Sequence, residues 1–172
     1  MLEKVSNILK LADQCNTSVI AFICTDYNMV YSVVTTAEKT NTPVIVMLLP
    51  EHVEMNNTMN VSGFAQMTKE LAASVKVPVG LHLDHSYDYR SVMQAIRGGF
   101  DSVMIDASAH ELDENIAVTR KVVETAHIFG VDVEAEIGHV GLAQDCDGDK
   151  SDFYTKADAA ERFCRETGCD SL

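Results

Sequence analysis

Three apolar segments in the middle of the chain constrain its fold more than anything else in the sequence. In Val79-Gly80-Leu81-His82-Leu83-Asp84-His85, a period of two puts Val79, Leu81 and Leu83 on one face. Gly80, His82 and Asp84 fall on the other, and His85 closes the C-terminal end. Ser102-Val103-Met104-Ile105-Asp106 is a second apolar strand that ends in a carboxylate. The third is Val131-Asp132-Val133-Glu134-Ala135-Glu136-Ile137-Gly138. There Val133, Ala135 and Ile137 share one face, and Glu134 and Glu136 the other. A buried, unpaired carboxylate is costly, so a metal ion or a reacting substrate is expected to offset these acids. A hydrogen-bonded His82–Asp84 pair is the bland alternative. In a barrel of parallel strands, such C-terminal ends converge on one mouth.

The rest of the chain supplies the elements such a barrel needs. Residues 3–13 carry Val5, Ile8, Leu9 and Ala12 at helical spacing. Val19 to Cys24 reads as a strand. Asn28 to Lys39 reads as a helix with Met29, Val33, Val34 and Ala37 inward, and Pro43 to Leu49 as a strand buried on both faces. After a loop from Pro50 to Asn60, a helix runs from Ser62 to Ser74. Tyr87 to Arg97 is a helix stopped by Gly98-Gly99, and Asp113 is the expected N-cap of a helix through Phe129. A polar loop spans 138–154, Lys156 to Thr167 is a helix stopped by Gly168, and Cys169 to Leu172 looks like the start of a sixth strand. Strand and helix alternate at βαβ spacing. The expected fold is α/β, a (β/α)8 TIM barrel of which this chain holds the first five βα units and the start of strand six. A whole barrel takes about 250 residues, so the 172 residues here are expected to be part of a longer one. An open five-stranded α/β sheet is the structural alternative. The first strand is not followed by Gly-x-Gly-x-x-Gly, which disfavours a dinucleotide fold.

Composition narrows the partners. The formal net charge of −13 argues against nucleic acid or an anionic membrane surface. It leaves room for a phosphorylated ligand held by backbone N–H groups. The five cysteines form no Cys-x-x-Cys pair, and their odd number and scatter suit a reducing, cytoplasmic setting. Neither a signal peptide nor a segment of transmembrane length is expected.

His82-Leu83-Asp84-His85, Ser102-Val103-Met104-Ile105-Asp106 and Val133-Glu134-Ala135-Glu136-Ile137-Gly138, in that order, resemble the class II, metal-dependent ketose-bisphosphate aldolases. These are the fructose- and tagatose-bisphosphate aldolases. Glu114-Asn115-Ile116-Ala117 and Thr167-Gly168-Cys169-Asp170-Ser171-Leu172 look like the same family. The resemblance implies that residues 1–172 are the N-terminal part of a single aldolase-type TIM-barrel domain. It also implies zinc-dependent aldol cleavage or condensation of a phosphorylated ketose, giving dihydroxyacetone phosphate and an aldehyde. Asp84 would be the acid/base and His85 a zinc ligand. Asp106 and Glu136 would lie beside the metal and offer a second cation position. Two further zinc histidines would come from strands beyond residue 172. A homodimer or homotetramer is implied as well. Zinc would act as a Lewis acid on the ketose carbonyl, with Asp84 moving a proton on the C4 hydroxyl. The competing Schiff-base chemistry needs a lysine at a strand end, and Lys39, Lys69, Lys76 and Lys121 all fall in or beside helices.

The sequence also departs from the family. Where relatives place a proton-shuttling glutamate, Gly141-Leu142-Ala143-Gln144-Asp145 has Gln144, whose amide is no base. Asp145 is the substitute if the loop shifts by one residue. Met47, Leu48 and Leu49 are expected to make the mouth more apolar than in relatives. A catalytically weakened paralogue that binds a phosphosugar or stabilises a partner is therefore the alternative function. A non-catalytic half barrel held by self-association is a further one. His127 and His139 are read as ordinary surface or core histidines.

Overall fold

The computed structural model describes residues 1–52, 59–138 and 155–172. Five strands, β1 (Ala21–Ile23), β2 (Val44–Leu48), β3 (Val79–Ser86), β4 (Ser102–Ile105) and β5 (Asp132–Ala135), form one sheet in the order β1-β2-β3-β4-β5. Every neighbouring pair is parallel. Six helices are described: α1 (Val5–Gln14), α2 (Tyr27–Thr40), α3 (Val61–Ala73), α4 (Tyr89–Gly98), α5 (Leu112–Ile128) and α6 (Ala157–Thr167). The strand order never reverses, so the sheet has no switch point of the doubly wound kind. Ser171 forms a parallel bridge with Glu134, and Ala135 N donates to Ser171 O at 3.1 Å. The expected sixth strand thus begins on the free edge of β5. This is a partial TIM-barrel arrangement of βα units, as the alternation of elements predicts.

The two faces of the sheet are chemically different. Val46, Leu48, Val79, Leu81, Leu83, Val103, Ile105 and Val133 face outward into one core. There they meet Val30 and Val34 of α2, Phe64 and Ala65 of α3, Val92 and Ala95 of α4, and Val122 and Ala126 of α5. Phe163 of α6 joins Ile116 and Ala135 in a smaller adjoining cluster. The five helices described after β1 thus cover one face, whereas an open α/β sheet carries helices on both. The other face holds Gly80, His82, Ser102 and Glu134. Helix α1 plugs its lower end with Val5 and Ile8. A Cβ on Gly80 would stand 3.0 Å from Val5 Cγ2 and 3.2 Å from Ile8 Cδ1, so any larger residue would push on that plug.

Leu48 is fully buried in the outer core and is no part of the mouth, contrary to expectation. In an unbroken apolar run, composition hides which residue takes which face. Helix α2 buries Val34 and Ala37 as expected and packs Val33 against the same core, but Val30 takes the inward place expected of Met29, which is exposed. Asp113 does not cap α5. Glu111 holds the N-cap position without a side-chain bond, and Asp113 accepts from Arg162 Nη2 at 2.6 Å. Asp26, Asn60 and Asp88 do cap α2, α3 and α4, accepting from Met29, Gly63 and Ser91 backbone N–H groups. Gly99 and Gly168 end α4 and α6 with φ of 101° and 71°, the left-handed conformation that glycine takes without penalty.

The N-terminal ends of the strands carry one strained electrostatic feature. Asp101 precedes β4 and Asp132 opens β5, with Asp132 N donating to Asp101 O at 3.0 Å. Asp132 Oδ2 is bonded by Ser6 N, whereas Asp101 Oδ1 is buried with no hydrogen-bond partner among the described residues. Burial first, and the Asp132 charge second, push the Asp101 carboxyl up to about 7, against weaker opposing effects of Lys69 and Lys4. Between the ordinary carboxylate range and about pH 7 the folded chain therefore binds more protons than the unfolded chain. Stability falls as pH rises through that window. Asp101→Asn is expected to stabilise the fold at pH 8 by on the order of 1–3 kcal/mol, allowing for partial hydration, and to flatten the decline. Urea melts of both proteins from pH 4 to 8 check this; an unchanged pH profile contradicts it.

Candidate active site

The site forms at the C-terminal ends of β3, β4 and β5, and it depends on an irregularity in β3. Leu83 pairs with Val103, and Ser86 pairs with Ile105. Three steps along β3 are thus matched by two along β4, which is a β-bulge. Leu83 and Ser86 both face the outer side with their partners, so Asp84 and His85 together oppose the single inner residue Met104. In a regular strand His85 would share the outer face with Leu81 and Leu83. The bulge turns it inward instead, next to Asp84. His85 has φ of +20°, a conformation rare for residues other than glycine. Such backbone costs on the order of 1–3 kcal/mol and tends to occur at functional sites.

Turned inward, His85 meets the next two strands. Its Nδ1 donates to Asp106 Oδ2 at 3.0 Å. One donor atom each from His85, Asp106 and Glu136 lie within 4.8 Å of one another, and all three residues are half-buried. The structure thus brings together three of the residues singled out from the sequence, with Asp84 beside them on the bulge. Burial pulls the His85 pKa down, but the bond to Asp106 and the charges of Asp84, Asp106 and Glu136 outweigh it and raise the pKa. Burial likewise pushes Asp106 up, yet bonds from Ser108 and His85 leave it below the usual carboxylate range. One imidazole and two carboxylates are donors that zinc accepts, and the local excess of negative charge favours a cation. The residues fit a divalent metal.

Other residues hold this arrangement in place. Asp106 Oδ1 accepts from Ser108 N at 3.0 Å and from Ser108 Oγ at 2.7 Å, which fixes the carboxylate. Asp106 N donates to Ser86 O at 2.8 Å, tying the top of β4 to the far side of the bulge. Near the N-terminus of α5, buried Asn115 donates from Nδ2 to Glu136 O at 2.8 Å, and Thr119 Oγ1 donates to Asn115 Oδ1 at 3.0 Å. The Tyr87 ring lies 6.4 Å from that of His85. None of these supporting roles follows from strand periodicity or from the motifs. Asp-x-Ser at 106–108 was a visible signal, because a short acidic side chain often binds the backbone two residues on. Asn115 on a buried helix face was another, because a buried amide needs partners.

Not every expected site residue joins the cluster. His82 is buried and bonds Ser102 rather than Asp84, with Nδ1 2.7 Å from Oγ. The bland His82–Asp84 pair is therefore not formed. His127 lies on α5 and bonds Asp170 Oδ2 at 2.9 Å, away from the cluster. Gln144, Asp145 and His139 lie outside the described residues. Among the described residues, no helix is long and apolar enough to cross a membrane.

Comparison with known proteins agrees with this geometry. The model of the family "Fructose-bisphosphate aldolase class-II" matches residues 3–172. The chain is 36% identical over 176 residues to the fructose-bisphosphate aldolase of Thermus caldophilus, covering 100% of this chain and 56% of that protein. It is 33% identical over 168 residues to the D-tagatose-1,6-bisphosphate aldolase subunit GatY of Klebsiella oxytoca, covering 96% of this chain and 58% of that protein. The crystal structure of the YdjI aldolase from Escherichia coli K12 superposes with a TM-score of 0.85 at 31% identity, over 100% of this chain and 60% of that one. The chain therefore spans 56–60% of the length of these relatives.

The Asp106 bond gives a direct expectation for the metal-free protein. His85 should titrate above the ordinary histidine value, and Asp106→Asn should bring it down, because the amide keeps a bond acceptor but loses the charge. Histidine NMR titration in excess chelator measures both. A His85 pKa that the substitution leaves unmoved contradicts the pairing.

Proposed function

Because the chain belongs to the class II fructose-bisphosphate aldolase family, we propose that its acidic cluster serves zinc-dependent aldol cleavage or condensation of a phosphorylated ketose. The products are dihydroxyacetone phosphate and an aldehyde. The observation that carries this reading is the approach of His85, Asp106 and Glu136 within 4.8 Å of one another on adjacent strand ends. Residues 1–172 then form the N-terminal part of a single barrel domain. The working protein is a cytoplasmic homodimer or homotetramer.

His85 would hold the catalytic zinc, with Asp106 and Glu136 offering a second cation position. When bound, zinc supplies Lewis acidity that polarises the ketose carbonyl. The chain's own contribution is proton handling and orientation. The Asp84 carboxylate takes the C4 hydroxyl proton as the bond between C3 and C4 breaks, and returns it in condensation. Asp106 orients the His85 ring through Nδ1, as carboxylates commonly do for metal-binding histidines. Asn115 fixes the backbone that carries Glu136. The half-burial of the cluster lowers the local dielectric, which strengthens these charge interactions.

Gln144 favours one second reading, a weakened aldolase that binds a phosphosugar or stabilises a partner, since an amide there cannot shuttle a proton. A coupled assay that follows dihydroxyacetone phosphate, with and without chelator, separates the two. Chelator-sensitive turnover is expected, and Asp84→Asn should lower kcat by roughly 10²–10⁴-fold with bound zinc retained. Turnover indifferent to chelator contradicts the metal mechanism. Phosphosugar binding without turnover favours the second reading.

A further inference from the structure

Beneath the His85–Asp106–Glu136 cluster runs a second row of polar side chains that the proposed chemistry does not use. His82 on β3, Ser102 on β4, Glu134 on β5 and Ser171 on the next strand all lie on the inner face. His82 and Ser102 are register partners on adjacent strands. Both are almost fully buried, at 2% and 3% exposure. The His82 Nδ1 lies 2.7 Å from Ser102 Oγ. On the other side of the ring, Nε2 lies 3.7 Å from Glu134 Oε2. That is too long for a hydrogen bond, and Nε2 has no hydrogen-bond partner among the described residues. Ser171 Oγ donates to the same Glu134 oxygen at 3.5 Å.

The chemistry of the ring fixes how this row is arranged. Burial, with a smaller effect from the His85 charge, pulls His82 down to about 4, so the ring is neutral near pH 7. A neutral imidazole carries one N–H. Placed on Nε2, that hydrogen faces the Glu134 carboxylate, and Nδ1 accepts from the Ser102 hydroxyl. The opposite tautomer would set a ring lone pair against the lone pairs of Glu134 Oε2, with no hydrogen between them.

We infer that His82, locked by Ser102 and aimed at Glu134, is a positioning residue of the metal centre. The row joins the three strands that deliver the cluster, on the N-terminal side of each donor. Ser102 and Asp106 are the two ends of one strand segment, Glu134 precedes Glu136 on the same inner face, and His82 lies directly under the bulge. The side chains of β3, β4 and β5 at this level therefore set the spacing of the strand ends, and with it the triangle formed by His85, Asp106 and Glu136. Ser171 extends the row to the sixth strand. The inference rests on reading that triangle as a cation site.

The test uses the intact protein, the Ser102→Ala variant and the Ser102→Thr variant. Zinc affinity is read by competition with a chromophoric chelator, and the His82 tautomer by ¹⁵N NMR of the metal-free protein. The unsubstituted protein is expected to bind zinc and to show His82 neutral with its hydrogen on Nε2. Ser102→Ala should release the His82 ring at Nδ1 and weaken zinc binding by roughly 10–100-fold, the range seen when residues supporting metal ligands are removed, with the hydrogen still on Nε2 because Glu134 remains. Ser102→Thr should restore the affinity, since threonine keeps the hydroxyl and Ser102 borders a cavity of about 120 Å³. If Ser102→Ala does not fold, Glu134→Gln replaces it; it should weaken zinc binding to a similar degree and release the tautomer preference. If the variants melt lower but bind zinc as tightly as the unsubstituted protein, the positioning role is overturned and the cation site stands. If the unsubstituted protein binds no zinc, both fall.

Discussion

One extra residue in β3 controls the site. Without the bulge between Leu83 and Ser86, strand parity would place His85 among Leu81, Leu83 and the helices behind them. A charged or metal-binding imidazole has no use there. With the bulge, two consecutive side chains, Asp84 and His85, open to the same interior, and His85 reaches Asp106 at 3.0 Å. The cost is one residue at φ +20°. Its stabilising counterpart is a set of bonds above and below the bulge: Asp106 N to Ser86 O on one side, and His82 to Ser102 on the other. Parallel strands keep the remainder of the ladder in register, so the irregularity stays local.

The two ends of the sheet divide labour in a way common to barrels. At the N-terminal ends, α1 closes the interior with Val5 and Ile8 against Gly80, and the neighbouring Asp132 charge adds to burial in raising the Asp101 carboxyl. At the C-terminal ends, half-buried acids surround an imidazole. Between them lies a thin polar layer of His82, Ser102 and Glu134. Burial holds the Glu134 carboxyl above its usual range, and the neighbouring Asp84 charge adds to this. The outer face carries the apolar burial that stabilises the whole. The inner face is thereby left to polar side chains that would weaken an ordinary core.

Much of this was legible in the sequence. Alternation in Val79–His85 and Val131–Ile137 gave the correct faces, because a period of two survives wherever polar and apolar residues alternate. The parallel order and the beginning of strand six also followed from the spacing of strand and helix. Alternation fails where every residue is apolar: Leu48 lies on the helix side and not at the mouth. Local capping failed at Asp113 because Arg162, remote in sequence, captured its carboxylate. The bulge could not be read at all. Nothing in Leu83-Asp84-His85-Ser86 itself signals an extra residue; it appears only when β4 supplies a register to compare with. Ser108 and Asn115 were missed for a related reason, since their roles are defined by partners on other elements.

Anomalous diffraction at the zinc edge, on crystals of the intact protein loaded with zinc, tests the central claim that the bulge turns His85 into a metal site shared by three strands. The account predicts a peak about 2.0–2.1 Å from a His85 ring nitrogen, on the inner side of the sheet with Asp106 and Glu136 beside it. A His85 ring packed among the helices, or a zinc peak remote from these strand ends, would contradict it.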